Sequence, residues 1–269
     1  MKLTLKLRLL LLSFLMLLSG CSEVPITGRS QFNIVPTSFM RSLSFQSYQE
    51  FLSANKLSTN AQQTAMVKRV GARIQNAVER YCEENYMFDR LKGYQWEFNL
   101  VEDPNVNAWA MPGGKVVVYT GLLPVAQNDA GLAVVLGHEI GHAFAKHGSE
   151  RMSQGLLAQF GETALSVALE KHSAATRDLF MRSYGIGTQI GILLPYSRVH
   201  ENEADHLGLI FMAMAGYNPE NAVTFWERMA AKEKGPQPLE LLSTHPVHAT
   251  RIQNIRDLIP EAMEYYKPQ

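Results

Sequence analysis

An apolar stretch from Val134 to Phe144 carries the sequence His-Glu-x-x-His and constrains the fold more than any other feature of the chain. In an α-helix of about 3.6 residues per turn, His138 and His142 lie one turn apart on one face. Both imidazoles can therefore reach a single metal ion, and Glu139, about 100° further round the helix, flanks a water bound there. The alternative is a chance match in a helix whose two histidines are satisfied within the core. The apolar flanks favour a buried helix that carries a metal site.

Two glycines, Gly137 and Gly141, interrupt the same helix. Each costs roughly 1 kcal/mol relative to alanine in a helix interior. The sequence therefore predicts that another backbone, or a substrate, approaches the helix closely at these positions.

Composition sets the class of protein. The chain has 269 residues, of which 46% are hydrophobic and 19% charged, which is typical of a globular protein with one large domain or two small ones. The formal net charge is zero, and removal of an N-terminal segment that holds Lys2, Lys6 and Arg8 leaves 22 basic against 25 acidic residues. A slightly acidic chain gives no reason to expect a nucleic-acid partner.

The N-terminus, residues 1–20, predicts an export signal. Its apolar run, Leu9 to Leu18, is shorter than the roughly 20 residues that a membrane span needs. The run ends in Leu18-Ser19-Gly20-Cys21, which resembles the bacterial lipoprotein cleavage box, where the cysteine becomes the lipidated first residue. A plain signal peptide or an uncleaved anchor is the alternative.

Lipidation of Cys21 would attach the chain to a membrane. The residue that follows is Ser22 rather than aspartate, which by resemblance to sorting signals implies the periplasmic face of a bacterial outer membrane. Outer-membrane assembly proteins are then possible partners. Only Cys82 remains after Cys21, so the mature chain cannot form an internal disulfide.

After an irregular lead at residues 21–36, residues 37–269 are predicted to form a single α+β domain, mostly helical, with a small antiparallel sheet beside the motif helix. Hydrophobic periodicity and turn signals give the elements. The predicted elements are helices from Thr37 or Ser38 and after a cap at Thr59 or Asn60; strands Tyr94–Val101, Asn107–Met111 and Lys115–Tyr119; a helical turn to Ala126; the motif helix, capped by Asn128 and stopping at Gly148; buried helices Leu156–Leu169 and Leu179–Leu194, with a membrane-surface helix as the alternative; helices from Ser197 to Ala215 and after Asn218-Pro219; a loop at Gly235–Pro238; and a last helix from His245-Pro246 to Leu258.

A catalytic zinc takes three protein ligands and keeps one position for water. A third histidine at position 148 is excluded, because Gly148 stands there. A downstream helix instead offers Glu201 and Asp205, four residues apart on one face. Glu201 can bind the metal while Asp205 accepts the outer N–H of a ligand histidine. Without the His-Glu-x-x-His sequence, this pair would indicate only a solvated helix face.

Four segments occur in an order that resembles the zinc endopeptidases of metallopeptidase family 48. The segments are Asn107 to Gly114, His138 to His142, Tyr196 to Asp205, and His245-Pro246 with Arg251-Ile252. The resemblance spans about residues 35–260 and is nearest to the lipoprotein members of the family. It implies a gluzincin-type metallopeptidase domain and one zinc ion per chain, held by His138, His142 and Glu201.

The resemblance also implies roles for the remaining residues. Glu139 is expected to act as the catalytic base, with Asp205 behind a ligand histidine. His245 and Arg251 are expected over the site, where His245 serves either as an oxyanion helper or as a fourth ligand that plugs it. Tyr196 is a further candidate for the oxyanion. The remaining histidines are expected to be structural or exposed.

The predicted reaction is hydrolysis of peptide bonds in unfolded or misassembled envelope proteins by a Glu-activated, zinc-bound water. An extended substrate is expected to bind as an added strand along Asn107, Ala108, Trp109 and Ala110. Two alternatives stay open: a zinc-bound chaperone or binding module of the outer membrane with a plugged, largely inactive site, and a zinc hydrolase acting on a non-peptide bond. An intact Glu139 argues against a purely structural zinc, which needs no base.

Overall fold

The computed structural model describes residues 21–170, 177–178, 180–183, 194–233, 240–245 and 250–268. The described strands and helices are, in chain order, β1 Cys21–Glu23, β2 Ser30–Phe32, α1 Thr37–Ala54, α2 Ala61–Glu84, β3 Glu97–Val101, β4 Ala108–Met111, β5 Lys115–Tyr119, a 3₁₀ turn Thr120–Leu122, α3 Leu123–Ala126, α4 Asp129–Phe144, α5 His147–Ala168, α6 Leu194–Met214, α7 Asn221–Glu233, α8 Glu240–Thr244 and α9 Arg251–Glu264. A mostly helical α+β fold is therefore confirmed. None of the helices among the described residues is long and apolar enough to cross a membrane.

The chain divides into two compact units, of which one comprises Met1–Met40 and Lys146–Val199. The lead segment is not irregular, because β1 and β2 pair as an antiparallel hairpin with Cys21 opposite Phe32. A part-buried ion pair links the hairpin to α5: Arg29 donates from both Nη atoms to the Glu150 carboxylate, at 2.9 and 2.7 Å. The predicted signal, residues 1–20, lies outside the described residues.

Helix α5 differs from prediction in where it begins and in how exposed its apolar side is. The motif helix ends at Phe144 instead of reaching Gly148, because Lys146 adopts a left-handed backbone (φ 60°) and α5 begins directly after it. The helix is also not buried along its apolar side: Phe160 and Val167 are each 67% exposed. Apolar composition predicts burial only where a neighbouring element covers the apolar face. Most of the second predicted helix, Leu179–Leu194, lies outside the described residues.

The second compact unit, Arg41–Ala145 with His200–Gln269, contains a three-stranded sheet of order β3-β5-β4. The sheet is mixed: β3 pairs parallel with β5, and β4 pairs antiparallel with it. The predicted small sheet is therefore present, and one of its two strand pairings is parallel rather than antiparallel. The central strand β5 is buried along its whole length, whereas β4 is an edge strand of this sheet.

Helix α4 is the centre of this unit. Its N-terminus is capped as predicted, since Asn128 Oδ1 accepts a hydrogen bond from Gly131 N at 2.9 Å. Every residue from Gly131 to Phe144 is buried. A helix that is apolar on all sides requires neighbours all round it, and the sheet, α2 and α7 supply them.

Two C-terminal boundaries differ from prediction. Asn218 caps a turn, with its Oδ1 accepting from Glu220 N, and α7 begins only at Asn221. The last helix starts at Arg251, whereas His245 lies just after the short helix α8. The predicted loop at 235–238 lies outside the described residues.

Candidate metal centre

Four side chains from three segments converge in the core of the second unit. His138 and His142 come from α4, Glu201 from α6 and His245 from the end of α8, and one ligand atom of each lies within 4.8 Å of all the others. His138 Nε2 is 3.1 Å from His142 Nε2 and 3.2 Å from His245 Nδ1. Glu201 Oε2 is 2.9 Å from His245 Nδ1 and 3.3 Å from His138 Nε2. The site is thus a compact cluster of three imidazoles and one carboxylate, called the ligand cluster below.

This donor set fits a zinc ion. A neutral imidazole nitrogen without a proton presents a lone pair, and three such nitrogens pointing at one another leave those lone pairs without enough protons to share. A cation at their centre accepts all of them at once. Nitrogen from histidine and oxygen from glutamate are the donors that catalytic zinc uses.

Helices α4 and α6 hold these ligands at close range because small residues line their contact. A Cβ placed on Gly137 would lie 2.7 Å from the carbonyl oxygen of Gly208, and one placed on Gly141 would lie 2.9 Å from that of Ala204. The sequence prediction of a close backbone approach is confirmed. The contact brings His138 and His142 over Glu201, four residues N-terminal of Asp205 on α6.

Asp205 contacts the side of His138 that faces away from the other donors. Its Oδ1 is 2.9 Å from His138 Nδ1, which holds the ring with Nε2 turned toward the other donors. Burial alone would lower the pKa of His138, but Asp205 and Glu201 together raise it to about 9. Burial alone would raise the pKa of Glu201, and the histidines bonded to it hold that pKa far below its usual range. Both shifts have one cause, the close packing of the two carboxylates against the histidine rings.

Arg251 is completely buried and points at Asp205. Its Nε donates to Asp205 Oδ2 at 2.8 Å and its Nη2 to Oδ1 at 2.9 Å. A third donor, Nη1, reaches the backbone carbonyl of His245 at 3.1 Å. The guanidinium lies over the Trp226 ring, 3.6 Å from its centroid. Arg251 therefore joins the support of His138 to the segment that carries His245.

Sequence reasoning missed Trp226. Its ring lies edge-on to His138, with centroids 5.7 Å apart, and is almost entirely buried. A tryptophan in an amphipathic helix carries no local sign of such a role, since most aromatic residues at helical spacing are core.

Glu139 is buried beside the ligand cluster. Among the described residues its Oε1 has no hydrogen-bond partner, and His245 Nε2 lies 3.4 Å from it. Burial raises the pKa of the Glu139 carboxyl. A buried carboxylate oxygen without a hydrogen bond is costly in a structural role, whereas a bound water or substrate would satisfy it.

The strand predicted to bind substrate runs along the edge of the sheet. Asn107 is buried and its Oδ1 accepts from Ala108 N at 2.9 Å. Trp109 turns its ring toward α1, where its centroid is 4.9 Å from that of Phe51. No strand among the described residues lies beside β4 on the side away from β5. The backbone groups of β4 on that side, up to Ala110, are therefore not paired with another strand there.

The other predicted site residues are less informative. Cys21 opens β1, and its lipidation stays a prediction that an intact-mass measurement would test. The side chain of Tyr196 lies outside the described residues, as do His172 and His248. His206 is 2.9 Å from Glu261 Oε2 on α9, a surface ion pair rather than a metal site.

Comparison with known proteins identifies the relatives of this chain. A profile of peptidase family M48 matches residues 68–259. The chain is similar to the mitochondrial metalloendopeptidase OMA1 of Schizosaccharomyces pombe (34% identical over 243 residues, 89% of this chain and 66% of the relative) and of Saccharomyces cerevisiae (35% over 184 residues, 66% and 51%). It is also similar to the metalloprotease YcaL of Escherichia coli (30% over 171 residues, 64% and 65%). The chain thus spans between half and two thirds of the length of these relatives.

These relatives contradict the location predicted from the N-terminus. Two of the three are named as mitochondrial proteins, and both match at higher identity than the bacterial one. The predicted position on the periplasmic side of a bacterial outer membrane is corrected accordingly, because a short N-terminal pattern carries less information than a match over most of the chain.

Proposed function

Because this chain belongs to peptidase family M48, we propose that it is a zinc-dependent endopeptidase that cleaves peptide bonds in unfolded or misassembled polypeptides. The observation that carries the proposal is the ligand cluster with His138, His142 and Glu201. Beside it lies a carboxylate oxygen of Glu139 that has no hydrogen-bond partner among the described residues. That combination supplies a metal site and a base in one buried place.

His138, His142 and Glu201 would hold a zinc ion, which when bound would supply Lewis acidity: it would polarise a carbonyl and lower the pKa of a water to about 7. Glu139 takes the proton of the attacking water and passes it to the leaving amine. Asp205 keeps His138 in the tautomer that leaves Nε2 free for the metal, and Arg251 keeps Asp205 charged and fixed. In this arrangement Arg251 orients other groups and does not touch substrate.

His245 occupies the fourth donor position in the proposed resting state. Its Nδ1 lies within 3.2 Å of both His138 Nε2 and Glu201 Oε2. A fourth protein ligand there leaves no place for water, so His245 must move before each round of cleavage. Loss of its ring would then free the site.

Substrate binds along β4 as an added strand. The edge strand offers backbone hydrogen bonds that do not depend on side-chain identity, which suits a peptidase that acts on extended polypeptides of varied sequence.

A second function is favoured by the position of His245: a zinc-bound binding module or chaperone whose plugged site is largely inactive. One experiment separates the two. Purified protein and its Glu139→Gln variant are compared for zinc content by mass spectrometry and for cleavage of casein, with and without a chelator.

The peptidase proposal predicts equal zinc in both proteins, cleavage only by the wild type, and loss of that cleavage when zinc is removed. Removal of a general base typically costs 10²–10⁴-fold, roughly, in rate. Zinc-loaded wild-type protein that leaves casein intact, or a variant that cleaves as fast as wild type, would refute the proposal; the first result would favour the binding module.

A further inference from the structure

Two aromatic side chains, Tyr86 and Phe88, project from the loop that follows α2. Tyr86 is 84% exposed and Phe88 is 65% exposed. Their rings contact each other edge to face, with centroids 6.3 Å apart. We call this pair the aromatic tip. Single exposed apolar residues are ordinary, but two aromatic rings held together in solvent form a surface of the kind that binding sites use.

The backbone under the tip is strained. Tyr86 has φ 56° and occupies the left-handed position just after α2, where Met87 N donates back to Cys82 O at 2.8 Å. Glycine is the usual residue at this position because it has no Cβ. Tyrosine raises the free energy of the turn, and its exposed ring recovers little of it by burial. Strain retained in this way is typical of residues kept for binding.

The loop lies close to both parts of the proposed active site. Arg90 donates to the carbonyl oxygen of Phe144, the last residue of α4 and two residues beyond His142. On its other side, Gln95 N donates to Gly113 O at 2.8 Å, in the turn that follows β4. A polypeptide bound along β4 and continuing past the end of that strand therefore leaves the site on the side of this loop.

Charged side chains flank the tip in the sequence, and carboxylates are in excess among the exposed ones. Glu83 and Glu84 precede the tip and are exposed, and Asp89 follows it. Two exposed cations pair with them, since Arg80 is 3.9 Å from Glu84 and Lys92 is 3.9 Å from Asp89, while Arg90 is turned inward to Phe144. A ligand that places an apolar side chain on the rings and a lysine or arginine beside Glu83 is complementary to this surface.

We propose that the aromatic tip is an exosite that binds the substrate polypeptide away from the cleaved bond, at an apolar residue with basic neighbours. The proposal rests on the peptidase function above and adds a substrate preference to it. Binding at the tip is the same before and during the reaction, so it lowers KM for long chains and leaves kcat unchanged. A peptide too short to reach the tip gains nothing from it.

The test uses the full-length protein with Tyr86→Gly and Phe88→Ser combined. Glycine suits the left-handed position, so the change removes the ring without weakening the turn, and thermal unfolding should show no loss of stability. Phe39→Ser, which removes another exposed aromatic ring, is the matched control. The substrates are reduced, carboxymethylated α-lactalbumin and an octapeptide cut from it.

The expected result is a KM about tenfold higher for the long substrate, with kcat and all octapeptide kinetics unchanged, a loss of the size that an aromatic binding residue typically gives. In a Glu139→Gln background, the Kd for the same long polypeptide should rise by a similar factor. Lysine-flanked versions of a tip-binding peptide should bind more tightly than glutamate-flanked ones.

Equal KM and Kd in wild type and double variant would overturn the exosite, as would an equal loss in the Phe39→Ser control. Weaker binding to phosphatidylcholine vesicles, with unchanged binding to α-lactalbumin, would overturn it in favour of a membrane contact. If only the proposed peptidase function is wrong, the results differ from these: the wild type would cleave neither substrate, but the double variant would still bind the unfolded polypeptide more weakly than the wild type.

Discussion

Replacing Gly137 with alanine would place a methyl carbon 2.7 Å from the carbonyl oxygen of Gly208 and 3.3 Å from its Cα. Both are backbone atoms, so no side chain can rotate away and helices α4 and α6 must separate. Alanine is intrinsically better than glycine in a helix by about 1 kcal/mol, and overpacking of a tight contact costs about 1–3 kcal/mol. The free energy of unfolding should therefore fall, because the cost of the tight contact is at least as large as the gain in helix propensity.

The matched control is Gly155→Ala on α5, where an added Cβ meets nothing within 4 Å. That change should show only the helix-propensity gain. Relative to it, Gly137→Ala should be less stable by about 1–3 kcal/mol, measured by urea unfolding of the two variants in parallel.

The same separation should weaken zinc binding. His138 and His142 lie on α4 and Glu201 on α6, and metal–ligand distances tolerate errors of only about 0.2 Å. A loss of zinc affinity of about 10–100-fold is expected, the range found when the support of a ligand is disturbed. Competition with a chromogenic chelator measures it. If Gly137→Ala matches Gly155→Ala in stability and the wild type in zinc affinity, the contact does not position the ligands.

Three further predictions concern single side chains. His245→Ala should raise the rate of casein cleavage at equal zinc content if the ring plugs the site; slower cleavage would indicate an oxyanion donor, and an unchanged rate would assign it neither role. Asp205→Asn should lower zinc affinity about 10–100-fold because the neutral amide can still accept from the His138 N–H but no longer balances its charge, and an unaltered affinity in the chelator competition would refute that support. Burial raises the pKa of the Cys82 thiol to about 11 from an ordinary 9.0, so the contribution of this thiol to stability should be present below pH 9 and lost as pH rises toward 11. At pH 9.5 the thiol of the native protein should therefore react with Ellman's reagent far more slowly than the thiol of the protein unfolded in urea. Equal rates would contradict the burial.

Local sequence was sufficient where the chemistry depends on residues close together in the chain. His138 and His142 share a face because four residues make about one helical turn, and the same spacing relates Glu201 to Asp205. Caps and turns are also local, so Asn128 caps its helix as predicted, and of the two candidate caps for α2, Thr59 and Asn60, the structure uses Asn60. The spacing of Glu201 and Asp205 made Glu201 a candidate third ligand, and the family resemblance added support, because no local signal joins it to α4.

Tertiary structure alone decided features that depend on which surfaces meet. The parallel pairing of β3 with β5 arises from a crossover that alternating residues cannot reveal, since alternation is the same for both strand directions. Similarly, Arg251 is a buried partner of Asp205 whose Nη1 also lies 3.4 Å from Glu201 Oε2, because Trp226 and α6 enclose it. Gly137 and Gly141 of α4 carry a cost that the sequence shows, but the reason for them, the carbonyls of Gly208 and Ala204, lies on another helix far along the chain. Periodicity reports which face of an element is apolar; only packing determines what covers that face.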